Sequence, residues 1–131
     1  MLFRSIGDYT GVATEGKLLV KNATKKGYIE ATAGDGIDLS FPDSKTRRGR
    51  VQKQSSQTLD TGDSKGVVEN LRIRKLTPKE CWRLMGISDD DFEKAKEVNS
   101  NTQLYKQAGN AIVVDVLEAI FANMFEQEEL A

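Results

Sequence analysis

The spacing of apolar and polar positions changes once along the chain, near residue 77. Before that point, apolar residues come in short runs separated by turn-forming clusters, and the first 70 residues read as β-rich and loop-rich. Residues 17–21 (KLLVK) and 27–32 (GYIEAT) predict two strands joined by the polar turn Asn22-Ala23-Thr24-Lys25-Lys26. Ala33-Gly34-Asp35-Gly36 is a second turn, and Ile37-Asp38-Leu39-Ser40-Phe41 then alternates at the strand period of two. Residues 42–66 scatter Pro42, Gly49, Gly62 and Gly66 among polar side chains, which predicts a long loop with a short extended stretch at 50–54.

From Thr77 onward the period is helical. Thr77-Pro78-Lys79-Glu80 combines a capping hydroxyl, proline at the first helical position and glutamate three residues after the cap. With Gly86 as the stop, it predicts a helix over 78–85. Ser88 and Asp91 repeat the capping pattern ahead of a helix over 89–98, and a short helix is expected over 102–108. After Gly109-Asn110, the pairs Ile112/Val113, Val116/Leu117, Ile120/Phe121 and Met124/Phe125 recur near every fourth residue, so a final amphipathic helix should run to about Phe125. The fold class is therefore α+β, with a β-rich region at 1–76 and a helical segment at 77–131.

Composition removes several function classes. The 131 residues are 38% apolar and 30% charged, enough for one modest domain or a domain with an appendage. No apolar run approaches the ~20 residues of a bilayer span, and the start lacks the apolar stretch of a signal peptide. One cysteine and no histidine exclude an internal disulfide, the common zinc sites and a Cys-His nucleophile pair, so no metal site is expected. Cys81 shares a helix face with Leu84 and Met85, an apolar setting that points to packing and leaves no catalytic residue to name.

The net charge of −1 conceals an uneven distribution. Residues 42–76 carry nine Lys/Arg against four Asp/Glu, whereas residues 77–131 carry five against eleven. A basic middle third points toward a polyanion, although a charge run is also what a solvated face looks like. Thr46-Arg47-Arg48-Gly49-Arg50 followed by Gln54-Ser55-Ser56-Gln57-Thr58-Leu59 would suit phosphate contact, since guanidinium forks oxygens and hydroxyls donate at close range. On the residues alone, a flexible solvated loop fits equally well. Arg72, Arg74 and Lys75 form a second basic cluster, with Arg72 and Arg74 on one side of any extended segment. Gly109-Asn110 reads either as a glycine C-cap followed by an Asn N-cap, or as a helix N-terminus offered to a ligand.

Two blocks, taken together, resemble a known family. Residues 74–86 (RKLTPKECWRLMG) and 105–114 (YKQAGNAIVV) are similar, in order and spacing, to the C-terminal end of DNA (cytosine-5) methyltransferases. Arg50-Val51 with Gln57-Thr58-Leu59 resembles the segment where that family's target-recognition region ends. The family's Pro-Cys nucleophile pair, its glycine-rich cofactor loop and its Glu-Asn-Val motif have no counterpart. Cys81 follows Glu80 instead of proline, and Val68-Glu69-Asn70-Leu71 has similar letters in the wrong place.

The resemblance implies the C-terminal part of such an enzyme without its catalytic part, the helical segment completing a Rossmann-like domain. It implies Asn110, Ala111 and Ile112 as one wall of an S-adenosylmethionine site in the complete enzyme. It implies Thr58 with Arg48 or Arg50 on the DNA backbone, and the second basic cluster then offers Arg72 and Arg74 as further DNA contacts. The partners it implies are double-stranded DNA and the catalytic part or subunit, with self-association through the 111–125 helix where that part is missing, no membrane, and a cytoplasmic prokaryotic or phage setting. The competing reading is a stand-alone DNA-binding module without an enzymatic partner.

Overall fold

A computed structural model of the chain describes residues 2–5, 9–14, 16–41 and 44–129. They fall into two compact units, one holding the chain up to Leu59 together with Asp63–Leu76, the other holding Asp60–Gly62 and the chain from Thr77. The molecule is α+β, antiparallel sheets in the first unit and helices in the second.

In the first unit, β1 (Leu2–Ser5), β2 (Tyr9–Thr14), β3 (Lys17–Lys21) and β4 (Tyr28–Ala31) form an antiparallel meander in chain order. A second antiparallel sheet has the order β6-β5-β7-β8, built from β5 (Gly36–Asp38), β6 (Val51–Gln52), β7 (Lys65–Glu69) and β8 (Arg72–Lys75). The pairings Leu18 with Ala31 and Val68 with Ile73 put apolar partners on one face of each sheet. Those faces supply the core: Leu18, Val20 and Ala31 from the first, and Ile37, Val51, Val68 and Ile73 from the second, joined by Leu39.

Three of the predicted strands are present, Lys17–Lys21 with the expected bounds and the other two in shorter form, at Tyr28–Ala31 and Gly36–Asp38. The third stops early because the Ser40 N–H turns back to the Asp38 carboxylate at 3.0 Å and Phe41 adopts φ +53°. Strand β7 begins inside the expected loop. Its Gly66 reads as a loop residue, yet the sheet requires glycine there: a methyl group would lie 2.8 Å from the Arg74 carbonyl and 3.1 Å from the Leu39 side chain.

The second unit contains α1 (Pro78–Leu84), α2 (Asp89–Lys96), α3 (Asn101–Asn110) and α4 (Val114–Glu129). Thr77, Ser88 and Ser100 cap the first three, each hydroxyl accepting the backbone N–H three residues on. Trp82 is the centre of packing, its ring edge-to-face with Phe92 at 5.4 Å and its indole N–H donating to the Leu104 carbonyl at 2.9 Å.

Gly109-Asn110 departs from both expectations, since neither residue separates the last two helices. Both lie within α3, Ala111 leaves it in extended conformation, and α4 starts only at Val114. By length and composition the stretch Asn101–Glu126 is long and apolar enough to cross a bilayer. It is nevertheless interrupted at residues 111–113, and Asp115 and Glu126 fall opposite the apolar stripe of α4, as in an amphipathic helix.

Candidate nucleic-acid interface

The basic segment does not stand alone in the fold. The Ala23 N–H donates to the Arg47 carbonyl at 3.1 Å, and Arg48 Nε returns a bond to the Ala23 carbonyl at 3.0 Å. These two bonds fasten the Asn22–Lys26 turn beside Arg47-Arg48. The turn is itself closed by Asn22 N–H to the Gly27 carbonyl at 3.0 Å, with Gly27 at φ +77°, a conformation glycine adopts without strain. Exposed Lys25 and Lys26 thereby join exposed Arg48 on one surface. The two lysines belong to a turn 20 residues upstream of the basic segment, so only the hydrogen bonds between Ala23 and the Arg47-Arg48 pair reveal the combination.

Arg47 and Arg50 do different work from Arg48. Arg47 donates to Asp38 Oδ2 at 2.8 Å and lies over the Phe41 ring, 5.1 Å from its centroid. Asp38 also receives Lys65 Nζ at 3.3 Å and the hydroxyl of Ser40. Burial alone would raise the Asp38 pKa, but the Ser40 hydroxyl and N–H, the Arg47 guanidinium and the Lys65 charge outweigh it and hold the carboxyl down to about 2. Arg50 is only 1% exposed, and its Nη2 donates to the carbonyls of Phe41 at 3.0 Å and Ser44 at 3.3 Å. Between the two arginines that the resemblance offers, Arg48 is the one at the surface, and Arg50 is spent on the carbonyls of Phe41 and Ser44.

The segment from Arg50 to Gln57 is held by polar bonds. Fully buried Asp35 accepts from the Thr32 N–H at 2.9 Å, Lys53 Nζ at 2.9 Å, and the Gln54 N–H and side-chain amide at 3.1 and 3.0 Å. Burial works against its charge, yet these donors keep its pKa well below the ordinary carboxylate range. Gln57 Nε2 donates to the Arg50 carbonyl at 3.0 Å, and Thr58 next to it is exposed. In the sequence Asp35 reads as a turn residue, its signal only an aspartate between two glycines.

On β8, Arg72 is exposed, whereas Arg74 is half-buried and bonded to Glu69 at 2.5 Å. Asn70 and Leu71, both with positive φ, form the two-residue turn between β7 and β8, so the Glu-Asn letters mark a hairpin tip. In the helical unit, exposed Asn110 ends α3, Ala111 follows as its C-cap, and Ile112 leads toward α4 with 67% of its surface exposed. Cys81 is buried on α1; burial first, then the charges of Glu80 and Asp60, push its thiol up to about 11. A thiol in that state is a packing group, far from a nucleophile.

A family model described as C-5 cytosine-specific DNA methylase matches residues 9–126. Among individual proteins, the orphan methyltransferase M.Rho11sI of Bacillus phage rho11s is 43% identical over 111 residues, 70% of this chain and 22% of that protein. The orphan methyltransferase M.SPBetaI of Bacillus phage SPbeta is 48% identical over 88 residues, 61% of this chain and 20% of its own. The type II methyltransferase M2.ScrFI of Lactococcus lactis subsp. cremoris is 54% identical over 55 residues, 42% of this chain and 15% of its own. No solved structure matches. The chain thus spans about a fifth of the length of these curated relatives. With a family match across nearly all of its residues, this chain belongs to the C-5 cytosine-specific DNA methylases.

Proposed function

We propose that this chain provides DNA-target recognition, and one wall of the S-adenosylmethionine site, within a C-5 cytosine DNA methyltransferase. The thiolate and the glycine-rich loop would come from the part that the relatives have and this chain does not span. The observation that carries the recognition role is the fastening of the Lys25-Lys26 turn to Arg48, which gathers three exposed cations on one surface. Phosphate contacts of this kind position a protein on duplex DNA without reading sequence. Arg72 and Thr58, exposed elsewhere on the same unit, would add to them.

S-adenosylmethionine would supply the methyl group, and Asn110, Ala111 and Ile112 would meet it. An exposed amide beside an exposed isoleucine suits one polar and one apolar edge of a nucleoside, which is a wall and no more. The unpartnered apolar stripe of α4 favours a larger assembly over a stand-alone DNA-binding module, because a pure DNA reader has no use for it. Relatives in bacteria and their phages fit a cytoplasmic enzyme acting on DNA.

The test is the salt dependence of duplex binding. Each lost phosphate contact lowers the magnitude of the log–log slope by roughly 0.9. Lys25→Ala combined with Arg48→Ala should therefore flatten it by about two units, while Lys94→Ala, on exposed α2, should leave it unchanged. An unaltered slope in the double variant, or no binding by the unmodified chain, would overturn the proposal. Alone, the chain should transfer no methyl group from labelled S-adenosylmethionine to DNA.

A further inference from the structure

Phe41 is the feature that the phosphate contacts leave unexplained. The residue is 68% exposed, and its backbone sits at φ +53°, a region that L residues rarely occupy. The conformation is held from outside: the Phe41 carbonyl accepts the Ser44 N–H at 3.1 Å and the buried guanidinium of Arg50 at 3.0 Å. The ring is also held from one side, by the Arg47 guanidinium 5.1 Å from its centroid, which is anchored in turn to Asp38 at 2.8 Å. A backbone bond from the Ala23 N–H then connects the Arg47 carbonyl to the cationic turn. A large apolar side chain is thus presented to solvent beside Arg47, whose own backbone is fastened to the cationic turn.

The charge around it selects the occupant. An apolar protein surface would bury those cations unpaired, whereas nucleic acid matches the cations with phosphates and the ring with bases. The covered face selects the mode. Insertion between base pairs needs both faces of the ring, and Arg47 occupies one of them. One open face suits lateral packing against a base edge, and the apolar group that the major groove displays is the C5-methyl of thymine.

We propose that Phe41 is a specificity-determining residue that packs its open face on a thymine C5-methyl, while Arg48, Lys25 and Lys26 hold the flanking phosphates. The inference rests on the DNA-recognition reading above, and its test separates the two.

Sites would be selected from random duplex DNA with the 131-residue chain, and the selected thymines replaced one at a time by uracil, which lacks only the methyl. One such replacement should weaken binding about fourfold, the equivalent of about 0.8 kcal/mol for one buried methyl-sized group. Phe41→Ala should lose at least as much, become indifferent to that replacement and keep the salt slope; Phe41→Leu should retain part of the preference. Since the ring is exposed, neither variant should alter the fold, which circular dichroism would check. The inference is overturned if Phe41→Ala stays sensitive to the replacement, if no selected thymine is methyl-dependent, or if the variant's salt slope flattens, which would make Phe41 a mere support for Arg47. Absence of any duplex binding by the unmodified chain would instead defeat the recognition reading itself.

Discussion

The Cα of Gly109 faces the backbone carbonyl of Asp60 so closely that a methyl group on it would lie 2.2 Å from that oxygen. Gly109 lies inside α3, where alanine is ordinarily worth about 1 kcal/mol more than glycine. Here the sign should reverse, because the opposing atom is backbone and cannot rotate away. We predict that Gly109→Ala destabilises the helical unit by about 1–3 kcal/mol, the usual cost of overpacking. Thermal unfolding followed at Trp82 would measure it, and a raised midpoint would show that Asp60–Gly62 does not pack on α3.

Acid should unfold the β-rich unit through Asp38. Its carboxyl is depressed from 3.8 to about 2, so the stabilisation is complete above the unfolded pKa and fades as pH falls from about 4 through 2. A shift of that size corresponds to about 2 kcal/mol. Asp35, shifted the same way, adds to the acid loss. Asp38→Asn deprives the buried Lys65 ammonium of a carboxylate, which should cost roughly 3 kcal/mol at neutral pH, and the remaining pH dependence should be shallower. Urea midpoints measured between pH 2 and 7 test both statements.

Cys81 should be nearly inert while the protein is folded. With its thiol near 11, the thiolate fraction at pH 8 is about one in a thousand, against roughly a tenth or more for an unperturbed cysteine. A disulfide reagent should therefore react about a hundredfold more slowly with the native chain than with the urea-unfolded one. Native and unfolded rates within tenfold of each other would contradict its burial on α1.

What was legible in the sequence divides along the range of the interactions involved. Helix starts were readable because their determinants are local: Thr77 with Glu80 and Ser88 with Asp91 act within one turn, and the structure forms both caps. Glycines misled wherever a distant chain segment dictated them. Gly66 reads as loop but is squeezed by Arg74 and Leu39, and Gly109 reads as a cap but is squeezed by Asp60. At the candidate interface, Arg48 was visible as a charge, yet its partners Lys25 and Lys26 depend on a bond between residues 23 and 47 that no local pattern encodes. Arg50 has the same appearance in sequence as Arg48; only its burial among the carbonyls of Phe41 and Ser44 distinguishes them. Residues 1–8 and 42–43 include positions outside the described ones, so the expected loop is followed only from Ser44.

The last helix yields the prediction with the largest free energy behind it. Ile112, Val116, Ile120, Phe121, Met124 and Phe125 all have about half or more of their surface exposed, and Phe121 and Phe125 already touch, their ring centroids 6.5 Å apart. Full burial of one such side chain is worth about 1.5–3 kcal/mol, so covering the exposed half of the six releases roughly 5–9 kcal/mol. In a self-associated pair both stripes are covered, which doubles that to roughly 9–18 kcal/mol; set against an association cost of about 4–15 kcal/mol, the surplus of a few kcal/mol corresponds to weak association, in the micromolar to millimolar range. We predict that the isolated chain self-associates through α4, its weight-average mass in sedimentation equilibrium rising above 14.5 kDa between ~1 and ~100 µM. Ile120→Glu, which sets a charge in the middle of the stripe, should keep it monomeric without changing duplex binding, because the cations of the candidate interface belong to the other unit. Adding the missing part of a close relative should compete with self-association for the same face. A wild-type chain that stays monomeric at the highest concentration would show that α4 needs no cover, and would remove the support that its stripe gives to a larger assembly.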